Sequence, residues 1–124
     1  MLKQELKVKF EKAIKLGKSR KYKEASILLY EITREASDFP EAYLFLGRSY
    51  HGLNRMEEAV HILRHYLNLV PESATGNFFL GRSLLSLGYA KNSITYLKKA
   101  VISHPGSVHA NGFLGIAYLN SGRS

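Results

Sequence analysis

Apolar residues recur along this chain at intervals of three and four, in stretches separated by short polar or Gly/Pro joints. Over 40–53, Tyr43, Leu46, Gly47 and Tyr50 fall on one side of a helix. The next stretch carries Ala59, Leu63, Tyr66 and Leu67 in the same way and stops before Pro71. The pattern predicts helices over 4–17, 21–35, 40–53, from Asn54 to before Pro71, then 74–87, 89–103 and 108–121. Pro40 suits a first helical turn, and Asp38 is expected to cap it. Asn54 with Glu57 reads as a two-sided helix start, and Ser73 and Ser107 stand where N-caps are wanted. Joints of two to five residues force neighbouring helices to run antiparallel.

These stretches repeat. Leu46-Gly47, Leu80-Gly81 and Leu114-Gly115 lie 34 residues apart, as do Pro71 and Pro105, and Ser73 and Ser107. Leu29, Leu63 and Leu97 form another series, and Ala25, Ala59 and Ser93 a third. A glycine inside a helix costs about 1 kcal/mol against alanine. Its return at one place therefore predicts a close approach by the partner helix, with the small residues at 25, 59 and 93 answering from the other side.

A 34-residue helix–turn–helix unit with aromatic, Leu-Gly and Tyr in its first helix, small residues in its second and a closing Pro resembles the tetratricopeptide repeat family. The family's pattern falls on Tyr43, Leu46, Gly47, Tyr50, Ala59, Leu63, Tyr66 and Pro71. One repeat later it falls on Asn77, Leu80, Gly81, Leu84, Ser93, Leu97, Ala100 and Pro105, and then on Asn111, Leu114, Gly115 and Tyr118. The first unit departs, with Lys12 for leucine and Ser37 for proline, and Tyr66 is bulkier than the family usual. The resemblance implies an all-α fold, an α-solenoid of antiparallel helix pairs. It has about three and a half units and seven helices, with repeats at about 6–39, 40–73, 74–107 and a partial 108–124 in one array. The 34-residue spacing argues against the 35-residue pentatricopeptide relatives that read RNA.

The resemblance also implies that the first helices line a concave side. In the first unit, Phe10, Ile14 and Lys18 would face it; in the second, Phe45, Arg48 and His51. In the third Phe78, Phe79 and Arg82 would face it, and in the last His109 and Phe113. Phe45, Phe79 and Phe113 thus form one ladder and Arg48 and Arg82 a second. A repeated exposed phenylalanine marks a contact surface. The expected ligand is a peptide with apolar anchors and acidic groups, held by Phe45, Arg48, Phe78, Phe79, Arg82, His109 and Phe113. The competing reading packs the phenylalanines between neighbouring first helices. Some family members hold a C-terminal carboxylate with a Lys/Asn/Asn/Lys/Arg clamp. The matching places here, Phe10, Ile14, Phe45, Thr75 and Phe79, do not reproduce it, nor does the set one repeat on.

Charge adds a second class of partner. The chain has 124 residues, no cysteine and a formal net charge of +8. Residues 1–35 hold ten Lys/Arg against five Glu, and 73–124 hold five Lys/Arg and no acid. Such a field favours acidic partners, so binding of nucleic acid or an anionic surface through Lys3, Lys7, Lys15, Lys18, Arg20, Lys21 and Lys23 is the alternative. A third reading makes the chain the regulatory array of a larger enzyme. No apolar run approaches the ~18 residues of a membrane span, and the N-terminus lacks a signal-peptide core, so a cytoplasmic location is expected.

Chemistry is sparse. With no cysteine there is no disulfide and no thiolate. His61 and His65 have metal-ligand spacing but no third ligand nearby in sequence. Gly17-Lys18-Ser19 resembles the end of a phosphate-binding loop, without the upstream glycine or a preceding strand. No nucleophile–base–orienter set appears, and neither catalysis nor a cofactor is expected. The segment 108–121 is a lone first helix with an apolar face. It predicts a piece of a longer array, or self-association through that end.

Overall fold

The computed structural model describes residues 3–122. Seven helices follow one another: α1 Gln4–Lys18, α2 Tyr22–Glu35, α3 Pro40–Gly52, α4 Met56–Leu69, α5 Ala74–Ser86, α6 Ala90–Ser103 and α7 Val108–Ser121. The boundaries lie within one or two residues of the periodic pattern, and no strand occurs among the described residues. Each helix packs on the next in sequence. The first helices α1, α3, α5 and α7 also touch in succession, whereas no two of α2, α4 and α6 meet. A two-layer stack with one layer more closely spaced bends toward that layer. The odd-numbered helices therefore line the concave side.

The glycines at the repeated Leu-Gly pairs set how near the layers come. A Cβ on Gly47 would stand 2.6 Å from Leu63 Cγ, and one on Gly81 2.6 Å from Leu97 Cγ. Leu63 and Leu97 fill these hollows and, with Leu29, Leu46 and Leu80, are fully buried. Burying one such side chain contributes about 1.5–3 kcal/mol. The bulky Tyr66 is accommodated from the facing helix: a Cβ on Gly76 would meet its ring at 2.6 Å.

The first helices α3, α5 and α7 are each tied to the loop before them by one side chain at the same repeat position. Tyr43 Oη donates to Ser37 O at 3.1 Å, and Asn77 Nδ2 to Pro71 O at 3.2 Å. Asn111 Nδ2 donates to Pro105 O at 2.8 Å. The two asparagines, which break the family's aromatic pattern, keep the tyrosine's hydrogen bond. Ser73 and Ser107 cap α5 and α7, each Oγ accepting from a backbone N–H three residues on at 3.1 Å.

Two expected caps are absent. The residue before α3 is Phe39, with no side-chain cap, and Pro40 takes the first helical position, so Asp38 does not cap this helix. Asn54 does not start α4 either: Arg55 precedes that helix, and Asn54 sits in the turn with φ 59°. Arg20 (φ 62°) and Gly88 (φ 90°) hold the same left-handed place 34 residues away on either side. In all three turns the next residue's N–H bonds a carbonyl five residues back, at 2.9 Å each, closing the helix end. Asparagine suits both a cap and a left-handed turn, and here the helix end claims it.

Candidate functional site

α1, α3, α5 and α7 bring the inward residues into one continuous run. Phe10 of α1 meets Phe45 of α3 edge to face, centroids 5.7 Å apart. The Arg48 guanidinium lies over Phe45 at 5.2 Å and over Phe79 of α5 at 5.0 Å. Phe79 meets Phe78 at 5.3 Å, and Arg82 lies over Phe78 at 5.5 Å and over Phe113 of α7 at 4.4 Å. Rings and guanidinium groups thus form a ladder across all four concave helices. It arises because an arginine at one repeat position reaches back one turn to a ring of its own helix and across to a ring of the next. Each such contact contributes about 0.5–2 kcal/mol, depending on desolvation.

The phenylalanines pack between neighbouring first helices, as the competing reading expects, without being closed off. Phe10–Phe45 and Phe78–Phe113, at 5.9 Å, are contacts between neighbouring first helices. Phe45, Phe78, Phe79 and Phe113 nevertheless remain only half-buried and leave apolar surface in the groove.

Among the described residues, Arg48 and Arg82 enter no ion pair or hydrogen bond, and Arg82 Nε is buried without an acceptor. Arg48 is exposed and Arg82 half-buried. Burial pulls the Arg82 guanidinium below its usual range, yet an arginine stays charged at neutral pH. His51 meets Phe79 edge to face at 5.5 Å. Burial, and then the charge of Arg82, lower its pKa from 6.5 to about 4, so its imidazole is neutral at pH 7.

These groups open onto a cavity of about 580 Å³ between α1, α3 and α5. Phe45, Arg48, Phe79 and Arg82 line it, joined by Lys18 and Ile14 of α1, and among the described residues no carboxylate does. Tyr22, on a second helix, also reaches it, with its ring against Gly52. Inward positions on first helices gave no means of finding Tyr22. His109 is not brought to this cavity; with Thr75 and Phe78 it lines a smaller hollow of about 250 Å³ between α5, α6 and α7. Phe113 borders neither hollow and closes the ladder against Arg82.

His65 lies against the Tyr43 ring at 4.4 Å, and no three metal-ligating side chains cluster among the described residues. Lys9 pairs with Glu31 and Glu35 at 3.2 Å each, which fastens α1 to α2. None of the described helices is long and apolar enough to cross a membrane.

Antiparallel helix pairs, stacked at one period with their first helices inward, define an α-solenoid. The family model described as the tetratricopeptide repeat matches residues 40–72 and 74–101, and the chain belongs to that family. No curated protein sequence matches the chain. Among solved structures, MamA from Desulfovibrio magneticus RS-1 (residues 41 to the end) is 22% identical with TM-score 0.90, over 98% of this chain and 68% of that one. The Yersinia enterocolitica secretion chaperone SycD, in complex with a peptide of the translocator YopD, is 15% identical with TM-score 0.86, over 97% of each. The first TPR of Spaghetti (RPAP3), bound to the HSP90 peptide SRMEEVD, is 17% identical with TM-score 0.88, over 94% of this chain and 92% of that one.

Proposed function

We propose that the chain is a cytoplasmic, non-catalytic protein-interaction scaffold that holds a peptide segment in its concave groove, as part of a longer protein or multiprotein assembly. One array of repeats at about 6–39, 40–73, 74–107 and 108–124 forms the groove. The observation that carries this reading is the pair of unpaired guanidinium groups, set among half-buried phenylalanines over a cavity with no carboxylate. Such a surface suits a partner with apolar side chains and acidic groups: the rings bury the first, and the arginines pair the second. Two proteins of this fold, SycD and the first TPR of RPAP3, are solved with peptides, which supports a groove that takes a peptide here. The carboxylate-clamp residues are missing from the corresponding places, so the grip on the acid differs.

The test is affinity capture from source-cell lysate at near-physiological salt with nuclease. The wild-type chain runs beside a Phe45/Phe79/Phe113→Ala variant that is still helical by circular dichroism. Partners held by the wild type and lost by the variant support the groove. Capture indifferent to the variant but abolished by nuclease or modest salt moves the reading to the basic first unit.

A second reading rests on α7. Gly115 occupies the place of Gly47 and Gly81, yet nothing lies within 4 Å of a Cβ built there, and Tyr118 and Leu119 are exposed. A second copy covering this hollow makes the chain self-associate. Light scattering that reports a monomer at high concentration removes that reading.

A further inference from the structure

Resting on the groove reading above, we propose that the concave ladder recognises two acidic side chains about three residues apart, with an apolar side chain between them, inside an extended peptide. The argument starts from the repeat. Arg48 and Arg82 stand 34 residues apart at one repeat position, on first helices that pack side by side. Packed helix axes lie about 8–10 Å apart, which sets the scale of the distance between the two guanidinium stations. An extended polyproline II segment has three residues per turn and rises about 3.1 Å per residue. Acidic side chains at positions i and i+3 therefore share one face and are separated by about the same distance, along a chain running from α3 toward α5.

The space between the stations is apolar. Phe79 touches Arg48 at 5.0 Å and His51 at 5.5 Å, and its other side meets Phe78. His51 is neutral at pH 7, so it adds no third cation there. A side chain projecting between two bound carboxylates meets rings, not charge.

The arrangement also speaks against a free chain end. A C-terminal Asp or Glu concentrates two carboxylates within one residue and needs cations clustered at one point. Here each guanidinium is held apart from the other in its own pair of rings: Phe45 and Phe79 for Arg48, Phe78 and Phe113 for Arg82. The rings fix each plane and leave its N–H edges for a carboxylate.

The experiment is a display selection on the whole chain with two random peptide libraries. In one, the random segment is internal with both ends continued; in the other it ends in a free carboxylate. Expected is enrichment from the internal library of acid-x-x-acid with an apolar residue between. The best blocked synthetic peptide then loses about tenfold or more in affinity for Arg48→Gln and for Arg82→Gln. Replacing one Glu of the peptide by Gln weakens it similarly, and the matched Arg→Gln variant then adds no further loss. Arg48→Lys, which keeps the charge and gives up the stack, separates pairing from folding and is expected to bind between the two. Acidic peptides selected without regard to spacing, or only with a free end, overturn the proposal while leaving the groove in place. Peptides that carry no acid, or whose binding ignores Phe79→Ala, overturn both the proposal and the groove.

Discussion

The pairs Leu80-Gly81 and Leu114-Gly115 occupy one repeat position, and their surroundings differ. Leu80 is fully buried and Gly81 is closed by Leu97, whereas Leu114 is half-buried and Gly115 is open. The same letters thus encode a hollow in both places, and only the middle one is filled. A repeat's first helix prepares a surface, and its stability depends on the helix that covers it.

Substitutions at matched places put numbers on that contrast. Leu80→Ala is expected to cost about 2–5 kcal/mol, and Leu114→Ala about 1 kcal/mol, by urea denaturation. Equal losses at the two sites break the comparison. Next in size, Gly81→Ala brings a Cβ to 2.6 Å from Leu97 Cγ and 3.3 Å from its backbone N. The expected cost is about 1–3 kcal/mol. Gly115→Ala meets nothing and gains up to about 1 kcal/mol of helix propensity, visible as a higher melting temperature. Opposite signs for one substitution at one repeat position are the sharpest form of the claim.

His51 supplies a pH-dependent member of the series. Its pKa in the folded chain is about 4 against an ordinary 6.5, so the fold favours the neutral ring. The unfolded chain takes up the proton first as pH falls below 6.5. His51's contribution is therefore complete above that pH and is lost progressively toward pH 4. Allowing for solvent screening at a half-buried ring, the difference between wild type and His51→Gln over this window is on the order of 1 kcal/mol. Parallel stability–pH curves for the two proteins contradict it. The smallest effect is in the turns: Arg20→Gly relieves a left-handed arginine and is expected to stabilise by about 1 kcal/mol or less. Gly88→Ala, at the same turn position, destabilises by a similar amount.

Much of the fold was legible because the 34-residue period restates each packing relation. Gly47 and Gly81 announced a close approach, and Leu63 and Leu97 make it. Ser73 and Ser107 cap as their type and place suggest. Asp38 and Asn54 misled because cap and turn chemistry share the same residues, and only the backbone decides between them. Asn77 and Asn111 looked like departures from an aromatic pattern, yet they replace a tyrosine's hydrogen bond. At the site, periodicity placed the Phe and Arg ladders on one face. The stacking of each guanidinium between rings of two helices depends on side-chain reach, which spacing does not record. Tyr22 reaches the cavity from a second helix, and His109 serves another hollow. Both follow from where helix ends fall, not from which face a residue occupies.

The most direct measurement is a backbone amide NMR titration of the whole chain with the best peptide from the internal library. The account predicts the largest perturbations on α3 and α5 around Arg48, His51, Phe79 and Arg82, with α1 and α7 beside them and α4 and α6 quiet. Perturbations centred on α4 and α6, or on the lysines of α1 and α2 away from the cavity, contradict it.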